Sequence, residues 1–194
     1  MEAAKRMNVA GFVLTGGNST RMGRDKALLR VGSETMCERI GDVLSDVAEQ
    51  VTLVGHPERY GQLKFPCVAD LRPGFGPLSG IETALSLQMA DLNLVTGCDA
   101  LNISADWLRA LLETAERSGA LCVVAQDKTG NLEPLCGVYR RECGTIVSRA
   151  ITEKRLRALD LLEELGAVPV PISGMLANLN TPTEYDELIN ARRI

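Results

Sequence analysis

At 194 residues, 45% hydrophobic and only 4% aromatic, the chain is long enough for one well-filled core and favours an aliphatic, buried sheet over an aromatic-rich sandwich. A net charge of −4 with no basic run argues against nucleic acid as a partner, and no segment approaches the roughly 20 apolar residues of a membrane span. Six cysteines without a CxxC pair, and His56 as the one histidine, argue against a zinc site.

Residues 1–7 are polar and lack the apolar stretch of a signal peptide, and the chain is large enough to fold without disulfides, so a reducing cytoplasm is expected. A first strand is predicted over 9–14, running into a Gly-rich loop. Met36, Ile40, Val43, Leu44 and Val47 fall at helical spacing, which predicts a helix over 35–49. Strands follow at 51–54 and 66–69. After a Pro/Gly loop at 72–77, Ile81, Ala84, Leu85 and Gln88 predict a second helix, and 92–96 a further strand. Leu108, Leu111, Leu112 and Ala115 predict a helix that begins near Ser104. Strands are predicted at 121–125 and 135–139, a helix through Leu156, Leu159, Leu162 and Leu165, and a strand at 168–170. Thr181, Pro182 and Glu184 form a capping box with proline at the first helical position, opening a last helix with Tyr185, Leu188 and Ile189 on its apolar face. Strands alternating with helices predict a single α/β domain over 1–194: a Rossmann-like open, mostly parallel sheet with helices on both faces. Such folds bind ligands at the carboxyl ends of their strands, where the loops 15–26, 70–80 and 97–104 emerge.

The first of these loops carries the strongest chemical signal. Gly16, Gly17 and Gly23 permit tight turns and close approach of backbone N–H groups to phosphate oxygens. Arg21 adds a planar, bidentate donor and Lys26 a compact positive charge. The loop is therefore suited to a polyphosphate. It is not a Walker A loop, because five residues separate Gly17 from Gly23 and Arg24 follows; the glycines at 74, 76 and 80 do not have dinucleotide-fingerprint spacing. Asp99, just after the strand at 92–96, is placed to hold Mg²⁺ against triphosphate oxygens. Asn178 and Asn180, two apart in an extended stretch, face the same way.

The segment LTGGNSTRMGRDKALL resembles the signature of the MobA-like nucleotidyltransferases, LxGGxSxRMGxDKxxL, at every position, and most closely that of their molybdenum cofactor guanylyltransferase branch. DLRPGFGPLSG at 70–80 is similar to the family's aspartate and GPLxG loop. GCD at 97–99 keeps the aspartate of the family's PCDxP but has Gly97 and Leu101 in place of its two prolines. NLNTP at 178–182 matches NxNTP. The resemblance implies the nucleotide-diphospho-sugar transferase-like fold, with Mg²⁺ as cofactor and GTP and molybdopterin or Mo-molybdopterin as substrates. It also implies molybdopterin-delivery and molybdoenzyme-chaperone proteins as partners. By residue, it implies catalytic roles for Arg21, Lys26 and Asp99, and nucleotide contacts from Leu14, Thr15, Gly16, Gly17, Lys26, Gly55, Asp70 and Asp99. It places Mg²⁺ on Asp99 and the pterin on Asn178 and Asn180. Glu133-Pro134 resembles the segment that leads into a substrate-site strand and takes no assigned role. The alternatives are a cytidylyltransferase of the same superfamily, whose relatives read LAAG where this chain has Gly16, and a nucleotide-binding adaptor that no longer catalyses.

Overall fold

The computed structural model describes residues 7–16, 25–100, 102–172 and 185. Strand β1 (Val9–Leu14) enters the core at once, with five of its six residues buried. A 3₁₀ turn at Lys26–Leu28 and a short ribbon of β2 (Arg30–Val31) and β3 (Glu34–Thr35) lead into α1 (Met36–Ser45). Thr35 caps α1 in a full capping box with Glu38. The chain then forms β4 (Gln50–Gly55), the one-turn α2 (Pro57–Tyr60), β5 (Cys67–Ala69), α3 (Pro77–Ser86) and β6 (Leu92–Gly97). The second half adds α4 (Ala105–Ser118), β7 (Cys122–Gln126), β8 (Leu132–Arg140), α5 (Cys143–Thr152), α6 (Ala158–Glu164) and β9 (Val168–Pro171).

Seven strands make one sheet in the order β5-β4-β1-β6-β8-β7-β9. All pairings are parallel except those of β8, which runs antiparallel to β6 and β7, so the expected mostly parallel sheet is present. Side chains alternate between its faces, as the pleat requires. Val13, Leu94, Val123 and Val138 join Ile40 and Leu44 of α1 and Leu108 and Leu111 of α4 in one core. Phe12, Val95, Val124 and Tyr139 join Leu78 and Ile81 of α3, Val147 and Ile151 of α5, and Leu161 of α6 in the other. Helices therefore cover both faces, and the two cores share the sheet as their wall.

Two predicted helices are shorter than expected. The first ends at Ser45, where Val47 and Ala48 both turn back to the Leu44 carbonyl and Glu49 pairs with Val9, closing the helix before its apolar pattern runs out. The helix read through 156–165 begins only at Ala158. Helix α5 was not expected. Its Cys143, Val147, Ala150 and Ile151 lie on one buried face, but Gly144 and the β-branched Thr145, Ile146 and Val147 are weak helix formers, and packing overrides them. The last predicted helix lies outside the described residues, apart from Tyr185. That residue donates its hydroxyl to the Arg30 carbonyl at 2.7 Å and packs against Leu29, Val31 and Met36.

Candidate active site

From central β1 the chain moves outward through β4 and β5, then crosses to β6 on the other side of β1. The gap between the carboxyl ends of β1 and β6 is a topological switch point, where open α/β sheets bind their ligands. Lys26 and Asp99 meet there. The Lys26 ammonium is 3.4 Å from Asp99 Oδ2, with side chains 16% and 28% exposed. Asp99 lies in the turn just after β6, and its neighbour Cys98 donates its N–H to the Leu14 carbonyl, tying that turn to the end of β1.

The end of β1 is fixed from the other side as well. Thr15 donates both its N–H and its hydroxyl to the Val54 carbonyl at 2.9 Å. This contact depends on Gly55, because a Cβ there would fall 2.1 Å from Thr15 Oγ1 and 3.0 Å from the Tyr60 ring. Gly16 faces Asp70, which follows β5: a Cβ on Gly16 would lie 3.2 Å from Asp70 Oδ2. Burial pushes the Asp70 carboxyl up, against smaller opposing effects of Ser79 and His56. Its Oδ1 is buried and has no hydrogen-bond partner among the described residues, which is the condition of a group that awaits a donor.

A support for Lys26 went unread in the sequence. Tyr60, 2% exposed, donates its hydroxyl to Asp25 Oδ2 at 2.8 Å and contacts the Thr15 carbonyl at 3.4 Å. Asp25 Oδ1 in turn accepts the Ala27 N–H at 3.1 Å, capping the 3₁₀ turn that carries Lys26, and Arg59 approaches Asp25 Oδ2 at 3.6 Å. Burial, and then the carboxylate of Asp25, push the Tyr60 hydroxyl far above its ordinary value, so it stays a donor. No local pattern announces a bond between residues 35 apart.

On the far side of Asp99 the sheet opens into a cavity of about 270 Å³, lined by Pro77, Ala100, Pro134, Leu135 and Ala158 together with the two acidic residues Asp99 and Glu133. Burial, then the charges of Asp127 and Asp99, push the Glu133 carboxyl up. His56 sits exposed at the head of α2, as expected of a surface loop residue.

The structure thus brings Leu14, Thr15, Gly16, Gly55, Asp70, Lys26 and Asp99 to one edge of the sheet. Gly17, Arg21, Asn178 and Asn180 lie outside the described residues. Among the described residues no group of three or more His, Cys, Asp or Glu side chains forms a ready metal cage. The lone carboxylate of Asp99 nevertheless fits Mg²⁺, which is commonly held by one or two carboxylates together with substrate phosphates and water.

A MobA-like NTP transferase domain matches residues 11–168. The chain belongs to the MobA-like NTP transferases. A probable molybdenum cofactor guanylyltransferase of Carboxydothermus hydrogenoformans is 30% identical over 191 residues, covering 94% of this chain and 95% of the relative. Its counterpart in Pelotomaculum thermopropionicum is 33% identical over 198 residues, covering 96% and 93%. The crystal structure of molybdopterin-guanine dinucleotide biosynthesis protein A from Archaeoglobus fulgidus shares the fold of this MobA-like chain with a TM-score of 0.80. That match spans 95% of this chain and 98% of the other, at 22% identity. No described helix is long and apolar enough to cross a membrane.

Proposed function

We propose that this MobA-like protein, acting as a single domain over 1–194, transfers GMP from GTP to the terminal phosphate of molybdopterin or Mo-molybdopterin and releases pyrophosphate. The observation that carries the reading is the 3.4 Å approach of Lys26 to Asp99 at the switch point of a nucleotidyltransferase fold. Two opposite charges on separate loops, only partly exposed, suit a reaction that concentrates negative charge at one phosphorus atom.

The acceptor phosphate is already anionic, so it attacks the α-phosphorus without a strong general base. A new P–O bond forms to the acceptor, the bond from the α-phosphorus to the bridging oxygen breaks, and that oxygen leaves with pyrophosphate. Alignment and charge neutralisation then supply most of the rate. Lys26 stabilises charge at the α-phosphate. Arg21 and the N–H groups around Gly17 hold the β- and γ-phosphates. Leu14, Thr15 and Gly16 offer backbone groups to the base, Gly55 adds backbone beside them, and Asp70 accepts from donor groups of the nucleoside. Asp99 is the residue that would hold Mg²⁺, which when bound neutralises triphosphate charge. Asn178 and Asn180 contact the pterin. The setting is a reducing cytoplasm, consistent with six unpaired cysteines.

The test is product identity. With Mg²⁺ and molybdopterin, GTP should give the guanine dinucleotide and pyrophosphate. Preferential use of CTP would replace this reading with the cytidylyl one, and turnover of neither nucleotide would leave a binding protein.

A further inference from the structure

The cavity beyond Asp99 owes its shape to an irregularity in β8. Gly137 lies opposite Val124 and Glu133 opposite Ala125, so Pro134, Leu135 and Cys136 have no partner on β7. Cys136 pairs instead with Thr96 of β6. A bulge of this kind bends a strand and re-aims its side chains. Here it carries Leu135 over the end of β6, within 3.7 Å of where a Cβ on Gly97 would sit, and brings Glu133 to the cavity that Asp99 also lines. Pro134, which cannot donate to a ladder, occupies the bulge without loss, and its carbonyl is held by the buried Tyr139 hydroxyl at 2.7 Å. The bulge is thus clamped from within.

The Glu133 carboxylate is partly buried, and no described residue gives it a hydrogen bond or an ion pair. Glu133 shares the cavity lining with proline, leucine and alanine residues. At about 270 Å³ the cavity is just below the usual span of small-molecule sites, roughly 300–1,000 Å³, which suits one flat ring system rather than a whole nucleotide. Strand order separates the two sides of the reaction. Gly16 and Asp70, which follow β1 and β5, and Gly55, which ends β4, lie on one side of β6, whereas Glu133 belongs to β8 on the other.

We infer that Glu133 is a specificity-determining residue of the acceptor subsite. Its two carboxylate oxygens accept the 2-amino and N3–H donors of a 2-amino-4-oxopteridine ring seated in the cavity at the β8 bulge. The inference rests on the guanylyl-transfer reading, since that reading makes the acceptor a pterin. An ionised carboxylate is acceptor-only and matches two adjacent N–H donors. Guanine carries a similar donor edge, and the strand order is what assigns Glu133 to the acceptor instead.

Two probes test this without any dependence on turnover. Pterin has the 2-amino group. Lumazine has a carbonyl at that position, so its edge offers one acceptor and one donor. Fluorescence titration of the intact protein should show pterin bound at least about tenfold more tightly than lumazine, as expected for hydrogen bonds to a charged group. Glu133→Gln replaces the paired acceptors with one acceptor and one donor, and should reverse that order in favour of lumazine. A simple loss of structure cannot produce such a gain. In turnover the same variant should raise KM for molybdopterin at least about tenfold and leave KM for GTP unchanged. Equal binding of the two probes by the unaltered protein, an unchanged order in Glu133→Gln, or a rise in the GTP KM in place of the acceptor KM would each overturn the assignment. If the unaltered protein makes no dinucleotide yet keeps its Glu133-dependent preference for pterin, the guanylyl-transfer reading falls and the pterin subsite stands.

Discussion

Lys26 is useful to a nucleotidyltransferase only if its ammonium is held where charge develops, and the neighbours that hold it are now visible. Replacing it by alanine removes a preorganised positive group and should lower turnover at least ~100-fold, about 3 kcal/mol, with the melting temperature little changed. Near-normal product formation by a folded Lys26→Ala protein would remove that role. The bond from the Tyr60 hydroxyl to Asp25 acts one step further back, because Asp25 caps the turn on which Lys26 stands. Tyr60→Phe keeps the buried ring and deletes only the hydroxyl. Small displacements of a catalytic group are costly, so turnover should fall about tenfold when Lys26 is present. In the Lys26→Ala background the same substitution should cost almost nothing further, since there is no ammonium left to misplace. Equal losses in the two backgrounds would mean that Tyr60 supports the fold and not the lysine. The lysine and aspartate were legible in sequence because glycines and a strand end surround them. Their buttress was not, because a tyrosine in a one-turn helix carries no local sign of a distant carboxylate.

Elements show the same division between local rules and tertiary context. Helix α1 starts where a local rule says it should: Glu38 Oε2 accepts from the Thr35 N–H at 3.0 Å and from the Thr35 hydroxyl at 2.7 Å, and Thr35 Oγ1 accepts the Glu38 N–H at 3.4 Å. Thr35→Ala should destabilise the protein by about 1 kcal/mol in chemical denaturation, the usual cost of a lost N-cap. The acid limb of stability should change with it. Hydrogen bonds from Thr35 and from the Lys64 N–H, with the charge of Arg30, hold the Glu38 carboxyl below its ordinary value of 4.5. The folded state therefore binds the proton less well than the unfolded chain. Its contribution is complete above about pH 4.5 and is lost as pH falls through the lowered folded value. Glu38→Gln should flatten the stability profile over that acidic range and leave it parallel to the unaltered protein's at pH 6–8. An acid limb of undiminished slope would show that other carboxylates dominate it. Helix α5 and the β8 bulge belong to the opposite case. A glycine beside three β-branched residues reads poorly as a helix, and Glu133-Pro134 before an apolar run reads only as a strand entrance. Both acquire meaning from what packs on them: the α3 face for one, Thr96 and the Tyr139 hydroxyl for the other.

At the scale of the molecule, alternating strand and helix patterns were enough to predict an open sheet covered on both faces, because each pattern reports a buried face. They could not report the order of the strands. Sequence separation says nothing of the jump from β5 to β6, yet that jump creates the switch point, and it sets Gly16, Gly55 and Asp70 on one side of β6 and the β8 strand that lines the cavity on the other. The position of the site has a thermodynamic consequence. The strands that frame it, β1 and β6, are paired along their whole lengths and buried in the centre of the sheet. A ligand that bridges their ends binds only when the central sheet is formed, so its binding energy adds to global stability. At 100 times its dissociation constant, Mg²⁺ with GTP should stabilise the protein by ~2.7 kcal/mol, a rise of roughly 5–10 °C in melting temperature for a domain of this size. CTP at the same concentration should give a smaller rise, and GTP without Mg²⁺ a smaller one again. In Asp99→Asn the increment due to Mg²⁺ should disappear while the shift from GTP alone remains, because the backbone groups at the end of β1 and Asp70, which the proposed function assigns to the nucleoside, are unaltered. A full Mg²⁺ increment in Asp99→Asn would move the cation to another ligand, and equal shifts with GTP and CTP would mean that the end of β1 does not discriminate between the bases.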